Sequence, residues 1–248
     1  MSANLNITRP DSPKRILMVA ANAAVSPATG WPVGMWIAEL THSWYVFTEA
    51  GYTVDIASPN GGKLEIDGFS DPRHESQYSA HDILSLGFLS STSHAALLES
   101  SKPLAEVDIH SYDAVFFVGG QSPMVTYRNN AAMHDFLRTC WESNLIVAIV
   151  CHATCLLLET TLSNGALLAE GKTWTGFADA EEAFADSFVG QRIQPFWIET
   201  EARALKGTNF VTGGMFRPFA VRDGRLVTGQ QQFSGAAAAN LVVEALGV

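Results

Sequence analysis

Cys151 and His152 stand side by side, directly after the apolar run Leu145–Val150 and directly before Ala153–Glu159, a stretch of helical composition. A strand that ends on a nucleophile and turns at once into a helix forms an elbow, which lifts that side chain above the carboxyl edge of a sheet. Open α/β sheets bind their ligands at that edge. A thiol at a helix N-terminus meets unpaired backbone N–H groups and the positive end of the helix dipole, so its thiolate is stabilised and its pKa is expected to fall. An adjacent imidazole can exchange protons with such a thiol, and the chemistry on offer is covalent attack on an electrophilic carbon. The competing reading is that Cys151 is a small buried apolar residue, as most free cysteines are, and one dipeptide does not separate the two.

An elbow needs a sheet to carry it. Arg15–Ala20, Tyr52–Ser58, Asp113–Val118 and Leu145–Val150 are short continuous apolar runs, the pattern of strands buried on both faces of a parallel sheet. Between the first two, Met35–Ala50 carries Met35, Ile37, Leu40, Trp44 and Phe47 near helical spacing, and Gly51 follows where a left-handed cap belongs. Between the last two, Met133, Phe136, Leu137, Cys140 and Trp141 form one stripe along Ala131–Glu142. Right-handed crossovers then predict a doubly wound α/β fold, a mostly parallel sheet sandwiched by helices. Val221–Thr228 reads as a hairpin around Asp-Gly, and Ser234–Leu246 as a closing helix opened by a capping serine. Residues 1–14 read as a loose leader and 15–248 as a single domain, with Asn60–Pro103 an inserted rim region bearing one helix around Ser91–Ser100. Gly190–Phe219 is assigned to strand and helix near the sheet edge.

The chain has 248 residues, 47% hydrophobic and 16% charged, with a net charge of −10. That is ample for a core, and its sign argues against nucleic acid or an anionic membrane as partner. No apolar stretch approaches the ~20 residues of a membrane-spanning helix. Three cysteines, at 140, 151 and 155, are too few for a disulfide framework, and the N-terminus lacks a basic-then-apolar export pattern, so a cytoplasmic protein is expected. Cys155 stands one helical turn after Cys151, where a disulfide would be strained, and reads as packing. His42, His74, His81 and His94 lack the spacing of a metal site. Phosphate-cradling and dinucleotide fingerprints are absent, so neither metal nor cofactor is expected.

Other residues can join the elbow. The third strand ends on Gly119-Gly120-Gln121-Ser122. The backbone N–H groups of Gly120 and Gln121 can there approach a substrate oxyanion, although glycines after a strand are also ordinary turn formers. In the segment GFADAEE, Asp179 can cap a helix, with Glu182 three residues later completing a capping box. Glu39 lies between Trp36 and Leu40 on a mostly apolar helix, an unusual place for a solvated charge.

The runs AIVCHA, FFVGGQS, GMWIAELTHSWYVFTEAGYTVDIASPNGG, GKTWTGFADAEE and DGRLVTGQQQFSG together resemble the ThiJ/PfpI superfamily, whose members have a class I glutamine amidotransferase-like, flavodoxin-like fold. The resemblance spans roughly Arg15 to Leu246 in the same order, and agreement across dispersed motifs is more specific than any one of them. The long form, with an insertion and an acidic residue downstream of Cys-His, is similar to the heat-shock chaperone and glyoxalase III branch. The resemblance implies that Cys151 is the nucleophile, His152 its partner and Glu182 the acidic third member, with Asp179 left to capping. It also implies that Glu39 sits protonated beside the sulfur, and it aligns His42 with a histidine near the site rim. Two departures bear on substrate: Ala153-Thr154 replaces the usual Gly and Pro or Ser, and Gly119-Gly120-Gln121-Ser122 replaces a GGHG-like loop. The implied activity is cofactor-independent conversion of a small carbonyl substrate, a 2-oxoaldehyde such as methylglyoxal, to its hydroxy acid (D-lactate). Protein deglycase activity would use the same nucleophile, and a homodimer is implied as well. The alternatives are a stress-related holding chaperone, or a cysteine-dependent hydratase or amidase acting on isonitriles or amides.

Overall fold

The computed structural model describes residues 13–247, so residues 1–12 of the expected leader lie outside the described residues. The apolar runs become β1 (Arg15–Val19), β2 (Thr53–Ser58), β4 (Ala114–Phe117) and β5 (Ile146–Val150), joined by the short β3 (Lys102–Pro103) and the hairpin strands β6 (Ala220–Asp223) and β7 (Leu226–Gly229). These seven strands lie in the order β6-β7-β5-β4-β1-β2-β3, and every pairing is parallel except β6 with β7. Met18 stands level with Ile56 on one side and Phe116 on the other. Every residue of β4 and β5 is buried, which is why their composition is continuously apolar and not alternating.

The helices are α1 (Ile37–Glu49), α2 (Ile83–Ser90), α3 (Thr92–Glu99), α4 (Ser122–Thr126), α5 (Ala131–Glu142), α6 (Asp179–Val189), α7 (Ile198–Ala204) and α8 (Gly235–Ala245). They flank the sheet, and α1 packs along α8. Gly51, at φ +82°, ends α1: its N–H reaches the Thr48 carbonyl and the Tyr52 N–H reaches that of Phe47, a Schellman closure. At the start of α5 the Asn130 side chain accepts from the N–H groups of Ala132 and Met133.

Four expectations shift. The rim region carries two helices, because Asp82 accepts the Ser85 N–H and starts α2 despite Gly87 in its interior. Ala153–Leu158 belongs to a 3-10 helix, Cys151–Leu158, that begins on the cysteine itself and is closed by Glu159. Within Gly190–Phe219, α7 forms, while Asn209–Phe210 pairs with Thr173–Trp174 in a separate two-stranded ladder. Ser234 precedes α8 without capping it, because its hydroxyl accepts from the N–H groups of Phe219 and Gln231. Among the described residues no helix is long and apolar enough to cross a membrane.

Candidate active site

The chain leaves β5 at Val150, and the next residue, Cys151, adopts φ +56°. A non-glycine residue in this left-handed region costs on the order of 1–3 kcal/mol, and the surrounding structure must hold it there. Thr154 supplies part of that hold: its hydroxyl donates to the Cys151 carbonyl at 2.6 Å. One of the two residues that depart from the ThiJ/PfpI pattern therefore braces the elbow. Cys151 is 2% exposed.

Glu39 reaches the same place from α1 and is fully buried. Its Oε2 accepts the Gly119 N–H at 2.7 Å. A Cβ on Gly119 would lie 2.7 Å from each of Glu39 Oε2, Cys151 Cβ and the Val150 carbonyl, so no side chain fits between the carboxyl and the thiol. Gly120, at φ +110°, leaves equally little room against the backbone of Met35 and Trp36. Burial pushes the Glu39 carboxyl up to about 7, against hydrogen bonds from Cys151 and Gly119 and the His152 charge, which pull it down.

Behind the sulfur lies a relay. His152 Nδ1 is 3.5 Å from Cys151 Sγ, and His152 Nε2 is 3.1 Å from Glu182 Oε1. With Glu182 ionised, Nε2–H donates to it and Nδ1 is left as the acceptor toward the thiol, a tautomer assigned from these partners. Phe177 stacks on the imidazole at 4.1 Å and 18°. Burial opposes the imidazolium, but attraction to Glu182, its hydrogen bond and the charges of Glu39 and Asp67 outweigh it, so His152 titrates above its ordinary value. Burial likewise raises Glu182. The thiol differs from the expectation of a depressed pKa. Burial and then the neighbouring Glu39 push Cys151 up, with only the Gly120 and His152 backbone N–H groups pulling it down. A helix end is visible in the sequence, whereas the desolvation of the thiol arises only from packing.

One of the backbone donors expected to face a substrate oxyanion is taken. The Gln121 N–H is already committed to Asp67 Oδ2 at 2.7 Å, and it is the N–H groups of Gly120 and His152 that act on the sulfur. Gln121 keeps a place in the cleft wall. Asp67 is 2% exposed and also accepts the Gly34 N–H, at 2.8 Å. The sequence reading missed it, since one acidic residue between Ile66 and Gly68 in an irregular stretch carries no periodic signal.

Three further residues fall outside the relay. His42 Nε2 meets Asp82 Oδ1 at 2.9 Å in an adjoining groove, with Trp36 shared between the two hollows. Asp179 accepts from the N–H and hydroxyl of Thr200, tying α6 to α7, while Glu181 takes the capping-box place by accepting the Ala178 N–H. The expected capping of α6 by Asp179 is not observed, because Ala178 is the N-cap and Asp179 is turned to Thr200; the capping-box place weighed for Glu182 goes to its neighbour, and Glu182 faces His152. Cys155 is buried, its thiol donating weakly to the Pro123 carbonyl at 3.7 Å, and all three cysteines are free.

Cys151, His152 and Glu182 form the floor of a cavity of about 90 Å³ whose walls are largely aromatic. A parallel sheet ending on a positive-φ cysteine, backed by an imidazole and a carboxylate, defines an α/β protein of the elbow type. The chain belongs to the DJ-1/PfpI family, whose profile matches residues 33–245. It is 24% identical over 218 residues to glyoxalase 3 of Candida albicans, covering 87% of this chain and 91% of that protein. It is 25% identical over 245 residues to the glutathione-independent glyoxalase HSP31 of Saccharomyces cerevisiae, covering 95% and 99%. Among solved structures, the 24 kDa rapid encystment protein of Francisella tularensis superposes with a TM-score of 0.83 at 26% identity, covering 95% of this chain and all of that one.

Proposed function

We propose that the protein is a glutathione-independent glyoxalase that converts a 2-oxoaldehyde and water to the 2-hydroxy acid. The observation that carries this reading is the continuous line from Glu182 through His152 to Cys151, at 3.1 and 3.5 Å, with the buried Glu39 carboxyl on the other side of the sulfur.

In this reading His152 Nδ1 takes the thiol proton as Sγ attacks the aldehyde carbon. A C–S bond forms, the carbonyl electron pair moves to oxygen, and the Gly120 and His152 N–H groups receive the developing charge. Protonation gives a hemithioacetal. Glu39, titrating near 7, can both accept and return a proton at neutral pH. It removes the proton from C1 and an enediol forms; reprotonation at C2 leaves a hydroxyl there and a thioester at C1. Water attacks the thioester, the C–S bond breaks and the thiol regains its proton. C1 is oxidised as C2 is reduced, so the sum is addition of one water with no outside redox partner. Protein deglycase activity would use the same nucleophile, and free cysteines throughout the described residues suit the reducing cytoplasm this reading assumes.

The test is methylglyoxal with the purified protein and no glutathione. D-lactate should accumulate, and Cys151→Ala should abolish it. Equal turnover by that variant would remove the mechanism. Suppression of client aggregation that survives Cys151→Ala, with no turnover by the parent, would favour the holding-chaperone reading.

A further inference from the structure

The cleft above Cys151 is walled by Trp36, Phe69, Tyr78, Phe184, Phe188 and Phe216, and among the described residues no lysine or arginine lines it. The rings brace one another edge to face across elements distant in sequence. Tyr78, from the rim region, meets Trp36 at 6.2 Å, Phe69 at 5.9 Å and Phe188 at 6.2 Å, and Phe184 meets Phe216 at 5.4 Å. Phe184 and Phe188 lie one turn apart on α6, the helix that also carries Glu182. They are 47% and 63% exposed, and Tyr78 is 42% exposed.

Large apolar rings left in water at the mouth of a cleft are stabilised by covering them with apolar surface. A 2-oxoaldehyde bearing a methyl group cannot bring its carbonyl to the buried sulfur and also cover rings at the mouth. Without a lysine or arginine in the wall, a substrate carboxylate or phosphate would find no bidentate or fixed-charge partner at the mouth.

Resting on the glyoxalase reading, we infer that the substrate class is 2-oxoaldehydes with an uncharged aryl substituent, and that Phe184 and Phe188 are the specificity-determining contacts. The reaction is the one written above, with the aryl group lying against the exposed rings of Phe184 and Phe188 on α6.

The test compares kcat/KM for phenylglyoxal and methylglyoxal with the parent, Phe184→Ala and Phe188→Ala. Both phenylalanines are substantially exposed, so the variants should fold, which circular dichroism checks. The parent should favour phenylglyoxal at least tenfold, a ratio within reach of apolar pocket contacts. Each alanine variant should reduce that ratio at least threefold, which separates the pocket from intrinsic aldehyde reactivity. Turnover of methylglyoxal with a parent ratio below ten, or a ratio unchanged in both variants, overturns the substrate class and leaves the glyoxalase reading standing. Turnover of neither aldehyde overturns both.

Discussion

Asp67 accepts the backbone N–H of Gln121 at 2.7 Å across 54 residues of chain. The other oxygen of the same buried carboxyl accepts the Gly34 N–H. This staple ties the Gly119-Gly120-Gln121 loop to the Asp67 segment beside Cys151, whose pKa the Gly120 N–H lowers. Asp67→Ala would leave one buried and one part-buried N–H group unpaired at about 1–3 kcal/mol each. The expected loss is therefore roughly 2–6 kcal/mol, read as a fall of roughly 4–24 °C in Tm for a chain of this size. Asp67→Asn keeps one acceptor and should lose less. Matching melts for Asp67→Ala and the parent would show that the staple carries no weight.

Glu182→Gln removes the charge that holds His152 above its ordinary pKa. With that attraction gone, burial dominates and the imidazole should titrate lower. Turnover should fall on the order of 10²-fold, and the acidic limb of the pH–rate profile should move to lower pH. A limb that stays in place would assign it to a different group.

The Glu39 charge is a cause of the raised Cys151 pKa, second to burial. Glu39→Gln takes that charge away while leaving an oxygen for the Gly119 N–H. Alkylation of Cys151 by iodoacetamide, followed by mass spectrometry as a function of pH, should reach its midpoint at lower pH in the variant. A higher midpoint would mean that Glu39 stabilises the thiolate by donating its own proton.

Glu39 also makes stability depend on pH. Its folded value of about 7 lies above the ordinary 4.5. Its contribution to stability is thus fully present below about 4.5 and is lost as pH rises through about 7, where the buried carboxyl must ionise. The shift corresponds to on the order of 3 kcal/mol at 1.36 kcal/mol per pH unit. Denaturant unfolding at pH 5 and pH 8 should show a smaller drop for Glu39→Gln than for the parent. An identical drop in both proteins would place the pH dependence elsewhere, with Asp67, raised to about 6 by burial, as the next candidate.

The central strands and α5 were legible because each is specified by its own neighbours. Continuous apolar runs mark strands buried on both faces, and Ala131–Glu142 matches its observed helix residue for residue. The α2 helix was illegible because Gly87 breaks the pattern that Asp82 then rescues from its end.

The Cys151-His152 elbow, the family and the helix carrying Glu39 follow from residue type and order along the chain. The state of the sulfur does not, because a pKa answers to desolvation and to charges that arrive from elsewhere. Glu39 reaches Gly119 across 80 residues and Glu182 reaches His152 across 30. Whether the Gln121 N–H is free, which of the buried Glu181 and Glu182 meets His152, and which rings wall the cleft are likewise set by contacts between distant segments. Local chemistry names the reactive groups, and packing determines their protonation, their partners and the shape of what can approach them.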